Sequence, residues 1–210
     1  ILTLAHLKPE MLEWDPEHQT EIRCKTGLPM PLVDLRIVDE DLADVPHDGK
    51  ATGEIVARTP WLTQGYLKDP KNSEQLWRGG YLHTGDVANI DRDGYVQICD
   101  RIKDVIKSGG EWLSSLELED LIAHHPAVSE VAVIGMPHPK WGERPLALVV
   151  LKEGAAGKVT ADELKAHVQA YADRGLISKW GVPEQVTFVQ GIDKTSVGKI
   201  NKRELRQKYL

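Results

Sequence analysis

Two short segments of the sequence place charged side chains where they could act on a phosphate or a sugar. Lys199 follows Gly198 on a polar loop. A lysine on a flexible loop is a point charge that can reach a phosphate or carboxylate oxygen, although a solvated loop lysine is more common. Asp86 closes the run Tyr81–Asp86. Its carboxylate could accept hydrogen bonds from two hydroxyl groups, as carboxylates do with ribose, although a Gly-Asp pair taken alone is more typical of a turn.

The spacing around Lys199 excludes a P-loop. That motif needs four residues between its glycines and Ser or Thr after its Lys. Here six residues separate Gly191 from Gly198, and Ile200 follows the lysine. The sequence therefore predicts a single mobile cation at this position.

The stretch Asp100–Trp112 combines six charged residues with the pair Gly109–Gly110. Core elements do not have this composition, because charged side chains are almost never fully buried. Paired glycines leave the backbone free to change its angles. The stretch predicts a polar crossing between two packed units.

A third segment, Gly135–Pro145, joins two predicted strands. It is either a rigid, proline-rich connection with Trp141 half-buried, or a loop whose aromatic and basic groups face a nucleotide or a partner. The histidines nearby do not have metal-ligand spacing, so no metal site is predicted on the protein itself. His124 and His125 instead suit a helix C-terminus.

The elements before residue 100 predict a small antiparallel, β-rich unit. Residues 1–30 are interrupted by proline and glycine and predict loops with at most one short strand. Asp-Gly between alternating runs predicts a hairpin. The predicted strands are Val33–Val38, Gly53–Arg58, Val87–Ile90 and Tyr95–Cys99, with one helical turn near Ser73–Leu76.

The elements after Trp112 predict a compact α+β unit. Two capping boxes, Ser114–Glu117 and Thr160–Glu163, begin helices. The remaining predicted elements are strands at 128–134, 145–151 and 185–189 and a charged helix at 201–209. The fold class is thus α+β, with a small antiparallel β-rich subdomain followed by a compact α+β lid domain. The predicted domains are 1–100, a hinge at 101–103, and a mobile domain at 104–210.

The composition indicates a packed protein without a signal for polyanions. Hydrophobic residues make up 41% of the 210 residues and the formal net charge is −6, so no nucleic-acid binding is expected. Cys24 and Cys99 form neither a disulfide framework nor a metal motif, which favours a reducing, cytoplasmic setting. No membrane span or signal peptide is predicted. Because the chain starts at Ile1 in mid-pattern, we interpret it as a piece of a longer protein.

Together and in this order, four segments resemble the C-terminal part of the acyl-adenylate-forming ligases, over essentially the whole chain. That superfamily includes acyl-CoA synthetases, luciferases and the adenylation domains of peptide synthetases. The run Ile106–Ser115 is most similar to bacterial medium- and long-chain fatty-acyl-CoA synthetases. Many other members have Arg, Tyr or His where this chain has Glu111 and Trp112. The four segments are Tyr81–Asp86, Asp100–Trp112, Gly135–Pro145 and Thr195–Lys199.

The resemblance implies a two-step reaction with ATP, Mg²⁺ and coenzyme A. A carboxylate attacks the α-phosphate of ATP to give acyl-AMP and pyrophosphate, and the thiol of coenzyme A then displaces AMP. By resemblance, Asp86 holds the ribose hydroxyls, and Arg101 reaches the same ribose or a phosphate. Lys199 bridges the substrate carboxylate and the α-phosphate, where negative charge accumulates.

The resemblance also assigns the second step to the charged stretch. Lys103 matches the hinge position, about which a small domain rotates between the two steps. Gly109 and Gly110 match the loop that lines the pantetheine channel. Lys107 is expected to bind the cofactor as well.

The family's phosphate loop, adenine-binding segment and acyl pocket are expected upstream of Ile1. The expected partners are therefore a fatty acid, ATP, coenzyme A and an N-terminal domain of the same protein, with a homodimer as a further option. The chain alone is expected to be inactive. Two alternatives stay open: an adenylate-forming ligase that transfers to a carrier protein, and a non-catalytic binding module with the same fold.

Overall fold

A computed structural model describes all residues from 1 to 210 as an α+β fold with five α-helices and eleven β-strands. The chain forms two compact units, Ile1–Lys103 and Asp104–Leu210. The predicted fold class is confirmed. None of the helices is long and apolar enough to cross a membrane.

The first unit is built on a four-stranded antiparallel sheet with the strand order β3-β4-β5-β6. A separate two-stranded antiparallel sheet pairs β1 with β2. The strands are β1 Thr3–Leu4, β2 Leu28–Pro29, β3 Asp34–Val38, β4 Gly53–Arg58, β5 Leu82–Ile90 and β6 Val96–Arg101, and the helices are α1 Pro16–Cys24 and α2 Pro70–Leu76.

The β5–β6 hairpin lies where the Asp-Gly signal predicts it. The Asp91 carboxylate accepts hydrogen bonds from the backbone N–H groups of Asp93 and Tyr95, both at 2.9 Å. Gly94 takes the positive φ of +86° that closes the turn. Five apolar side chains of the sheet form a buried cluster beneath it: Ile37, Ile55, Ala88, Ile90 and Val96.

The expectation of loops over residues 1–30 is wrong at α1. Asp15 caps this helix, because its carboxylate accepts hydrogen bonds from the N–H groups of Glu17 and His18. Pro16 stands at the first helical position, where its missing N–H would have had no partner and its fixed φ suits the helix. Pro16 therefore starts the helix rather than interrupting it, and the helix buries Ile22.

The second unit is built on a five-stranded sheet centred on β10. β10 pairs antiparallel with β9 and β7 and parallel with β11. The strands are β7 Ile106–Ser108, β8 Glu111–Leu113, β9 Val128–His138, β10 Gly142–Leu151 and β11 Gln185–Phe188, and the helices are α3 Ser115–Ala123, α4 Ala161–Asp173 and α5 Lys202–Tyr209.

Both faces of this sheet are covered by helices. Along β9, Val131 and Val133 belong to one buried cluster with side chains of α3 and α4. The alternating residues Ala132 and Ile134 belong to a second cluster with Leu205 of α5. Since successive strand residues point to opposite faces, α5 lies on the face opposite α3 and α4.

The strands around the segment Gly135–Pro145 extend further than predicted. β9 continues to His138 and β10 begins at Gly142, so only residues 139–141 turn the chain. Pro137 is tolerated inside β9 because this strand pairs only with β10 and is therefore an edge of the sheet. The predicted proline-rich connection is mostly a continuous hairpin.

Candidate active site

Asp86 and Arg101 are direct cross-strand neighbours on β5 and β6. The Nε atom of Arg101 lies 3.1 Å from Oδ1 of Asp86, and their side chains are 64% and 25% exposed. The resemblance implies that Asp86 holds a ribose and that Arg101 reaches the same ribose or a phosphate, and the first unit brings the two side chains together. A partly exposed carboxylate beside a guanidinium can bind hydroxyl hydrogens while the cation faces a phosphate.

A largely buried pair that has no predicted role supports the turn before Asp86. Nδ1 of His83 lies 2.7 Å from Oε2 of Glu54, and the two side chains are 10% and 12% exposed. The other oxygen of Glu54 accepts the N–H of Gly85 at 3.0 Å. His83 Nε2 lies 3.0 Å from the carbonyl of Arg78. Both ring nitrogens thus contact oxygen atoms, and these two contacts hold the ring in place.

Backbone contacts fix the same turn. Gly85 has φ of +73°, which few other residues adopt. The Thr84 hydroxyl donates to the carbonyl of Ile55 and accepts the N–H of Asp86, at 3.0 and 3.1 Å. An open cavity of about 480 Å³ borders this turn. The Asp86 carboxylate thus rests on a turn held from several sides.

Gly109 and Gly110 form the tight turn of the β7–β8 hairpin, where Ser108 opposes Glu111. Their φ angles are +61° and +86°, as a two-residue hairpin turn requires. A Cβ on Gly109 would lie 2.9 Å from Cε2 of Trp180, whereas nothing lies within 4 Å of a Cβ on Gly110. Gly109 is therefore packed against an indole ring, and Gly110 is open.

Aromatic and basic side chains surround this turn. The rings of Trp141 and Trp180 lie 4.5 Å apart between centroids. The ammonium groups of Lys140 and Lys179 lie 4.4 and 5.2 Å from the centroids of Trp141 and Trp180, respectively. Lys107 lies 4.8 Å from the ring of Trp112 on the hairpin itself. Such a surface can stack a planar ring and attract an anion.

Arg144 anchors the Trp180 segment. Its buried guanidinium donates to the carbonyls of Trp180 and Val182 at 2.7 and 2.9 Å and to the hydroxyl of Ser108 at 3.4 Å. Arg144 was expected only as one of the basic residues of the segment Gly135–Pro145, and Trp180 has no predicted role. No local signal marks the contact between them, because the chain separates both residues from the glycine turn by dozens of residues.

Lys199 is exposed on a narrow loop whose backbone is fixed at its base. Lys194 and Ile200 form an isolated antiparallel bridge. The N–H of Thr195 donates to the carbonyl of Lys199 at 2.7 Å, and the Thr195 hydroxyl accepts the N–H of Lys199 at 3.2 Å. Gly198, with φ of +80°, closes the turn. The ammonium group is thus presented to solvent from an ordered backbone.

The predicted site residues are divided between the two units. Asp86, Arg101 and Lys103 belong to the first, and Lys103 is its last residue and is exposed. Residues 107, 109, 110 and 199 belong to the second.

Comparison with known proteins defines the class. Residues 117–199 match the AMP-binding enzyme C-terminal domain. These residues form an AMP-binding enzyme C-terminal domain, as the resemblance of the motifs indicates.

Particular relatives align along nearly the whole chain. It is 44% identical to a long-chain-fatty-acid–CoA ligase of Thermus thermophilus over 97% of its own length and 36% of that protein. The amide bond synthetase McbA of Marinactinospora thermotolerans superposes with a TM-score of 0.73 at 33% identity, covering 93% of this chain and 39% of McbA. ATP-bound MatB of Rhodopseudomonas palustris has a TM-score of 0.73 at 32% identity, with 87% and 35% covered. The chain thus spans little more than a third of each relative.

Proposed function

We propose that this chain is the C-terminal part of an ATP-dependent fatty-acyl-CoA synthetase. In the first step a fatty-acid carboxylate oxygen bonds to the α-phosphorus of ATP, and pyrophosphate leaves. In the second step the sulfur of coenzyme A bonds to the acyl carbon, AMP leaves and the thiol proton is lost. The observation that carries the proposal is the 44% identity with a long-chain-fatty-acid–CoA ligase over 97% of the chain.

In this proposal the first unit holds the nucleotide. Asp86 accepts the two ribose hydroxyls, and Arg101, its neighbour at 3.1 Å, faces the ribose or a phosphate. The buried Glu54–His83 pair keeps the Gly85 turn in the conformation that presents Asp86. Mg²⁺ enters with ATP, because this ion is commonly bound through substrate phosphates.

Lys199 acts in the first step. Negative charge grows on the α-phosphate oxygens while the carboxylate approaches, and a positioned ammonium group stabilises that charge. The exposed side chain on an ordered loop suits a cation that is brought to the phosphates.

The glycine turn acts in the second step. Gly110 leaves room for the pantetheine arm of coenzyme A, since nothing lies within 4 Å of a Cβ there. Lys107 and the surrounding tryptophans face the same cofactor. Between the steps, a rotation about Lys103 moves Lys199 away from the substrates and brings the glycine turn to them.

The acceptor is tested in the full-length enzyme, where we also expect an N-terminal domain and cytoplasmic activity. The enzyme is incubated with fatty acid, ATP and Mg²⁺, and with either coenzyme A or a phosphopantetheinylated carrier protein. We expect the enzyme to form acyl-CoA, AMP and pyrophosphate, and to acylate little of the carrier protein. Preferential loading of the carrier would contradict the proposal, and so would an amide product with an added amine.

The 210 residues by themselves are expected to form no acyl-CoA under the same conditions, because they span 36% of the related ligase. Rapid thioester formation by the isolated chain would refute this expectation.

A further inference from the structure

The segment that carries Lys199 runs directly into α5. Asn201 begins this helix, and its side-chain oxygen accepts the N–H of Glu204 at 3.3 Å. The N–H of Asn201 donates to the carbonyl of Asp193 at 2.8 Å, on the other side of the loop. The orientation of the loop therefore depends on where the first turn of α5 is fixed.

A buried ion pair fixes that turn. The ammonium group of Lys202 lies 2.7 Å from Oε1 of Glu119 and donates to the hydroxyl of Ser115 at 2.6 Å. The side chains of Lys202 and Glu119 are 7% and 10% exposed, and Ser115 is fully buried. The same Glu119 oxygen accepts the N–H of Val133 on β9 at 2.8 Å.

Through these bonds one lysine ties α5 to α3 and to the sheet. Both ends of the pair are set by regular elements: Ser115 and Glu119 are one helical turn apart on α3, and Val133 is inside β9. Lys199 lies three residues before Lys202, and three residues span at most about 11 Å. Between them, the Lys194–Ile200 bridge and the Asn201 cap leave the chain little freedom.

Stability alone does not explain a charged pair at this place. Replacing a buried ion pair with apolar side chains of similar volume is often neutral or stabilising. What an apolar pair lacks is direction, because an ammonium group must meet each acceptor along an N–H bond. The pair therefore holds the first turn of α5 at one position and angle.

We propose that Lys202 and Glu119 are positioning residues for Lys199: the buried ion pair holds the loop so that the Lys199 ammonium group meets the α-phosphate. This inference rests on the proposed role of Lys199 in the first step. Neither residue touches substrate in the proposal, and both act through the backbone of residues 199–202.

The first test asks whether the pair orders the loop. Amide hydrogen exchange is measured by mass spectrometry on peptides covering residues 193–201 in the full-length enzyme. The double variant Lys202→Met, Glu119→Leu removes both charges together and puts apolar side chains in their place. We expect protection of this segment to fall about tenfold, while peptides from β10 stay unchanged. Unchanged protection at 193–201 would overturn the proposal.

The second test asks whether the loop order serves one step. ATP–pyrophosphate exchange reports acyl-AMP formation, and thioester formation from supplied acyl-AMP reports the second step. The double variant should lower kcat of exchange at least tenfold, change the KM for ATP less, and leave the second step within about twofold. Equal losses in both steps would indicate a merely structural role and overturn the inference.

Matched variants complete the design. Lys202→Arg keeps a charged donor, and this variant should retain most of the wild-type exchange activity. Lys208→Met makes the same substitution on α5 at the exposed pair with Asp193, and it should change neither step. Lys199→Ala serves as the reference: if it fails to separate the two steps, the proposed function of Lys199 fails, whereas the exchange protection still reports on the pair itself.

Discussion

At the scale of single residues, the surroundings of each charged side chain decide what that side chain can do. Asp86 stays partly exposed beside Arg101, whereas Lys202 is buried and fully engaged by Glu119 and Ser115. Lys199, three residues away from Lys202, has an exposed side chain. Exposure therefore separates the charged groups that can meet a substrate from those that can only hold structure.

His125 gives a residue-scale prediction about pH. Burial and the neighbouring His167 ring, 5.2 Å away between centroids, lower the pKa of His125 despite the opposing charge of Glu163. Its Nδ1 also accepts the N–H of Ala127 at 3.3 Å, which requires an unprotonated nitrogen. The folded state thus favours the neutral ring, and stability should fall as pH drops through the ordinary histidine value of about 6.5.

The prediction is checked by urea unfolding of the chain at about pH 7.5 and pH 5.5, on either side of the histidine range. We expect the loss of stability between the two values to be smaller in His125→Gln than in the wild type. His124→Gln, at the exposed neighbouring residue, should behave as the wild type does. The same loss in all three proteins would contradict the assignment.

Much of the candidate site could be predicted at this scale, and part could not. Asp86, Arg101 and Lys199 lie in local motifs, so the residues next to them in the sequence identify them. Glu54 and Trp180 contact the turns they support only after folding. Their partners are distant in sequence, and nothing around either residue marks the contact in advance.

At the scale of elements, the β7–β8 hairpin separates two roles for adjacent glycines. Both have positive φ, so alanine at either position strains the backbone by about 1–2 kcal/mol. Only at Gly109 would the new methyl group also meet Trp180, at 2.9 Å. We therefore predict that Gly109→Ala destabilises the chain by about 1–3 kcal/mol more than Gly110→Ala does.

Urea unfolding of the two variants measures this difference directly. Adding Trp180→Leu to each should shrink the difference, because the clashing ring is then gone. If the two alanine variants lose equal stability in the presence of Trp180, the packing assigned to Gly109 is wrong.

Three of the misplaced element boundaries lie at prolines, whereas the β7–β8 hairpin, in the stretch predicted as a polar crossing, contains none. Pro16 begins α1, Pro137 lies on the edge strand β9, and Pro145 lies inside β10 opposite Gly135. Proline removes one backbone donor, and whether that matters depends on the neighbour that would have used it. The tertiary structure decides which neighbour that is, so local patterns overestimate how often proline interrupts a helix or a strand. The capped helices α3 and α4 begin where Ser114 and Thr160 predict them, because a cap is local.

At the scale of the whole molecule, each unit has its own buried core. The clusters around Ile55 and Met11 belong to the first unit, and those around Val133 and Ile134 belong to the second. The compact units divide between Lys103 and Asp104. Two separate cores are what a rotation about a short segment would need, since neither has to be broken. That Lys103 is the pivot stays a proposal.

The proposed function requires one small domain to serve two successive steps with different residues. Its most direct test compares both half-reactions in full-length Lys199→Ala and Lys103→Pro. ATP–pyrophosphate exchange is measured for the first step, and thioester formation from supplied acyl-AMP for the second.

We predict opposite patterns. Lys199→Ala removes the cation and should reduce exchange by at least a hundredfold, while the second step stays within a fewfold of the wild type. Lys103→Pro fixes φ at the pivot and should block the second step while sparing exchange. Loss of both steps together in each variant, or survival of both steps in Lys103→Pro, would contradict the account.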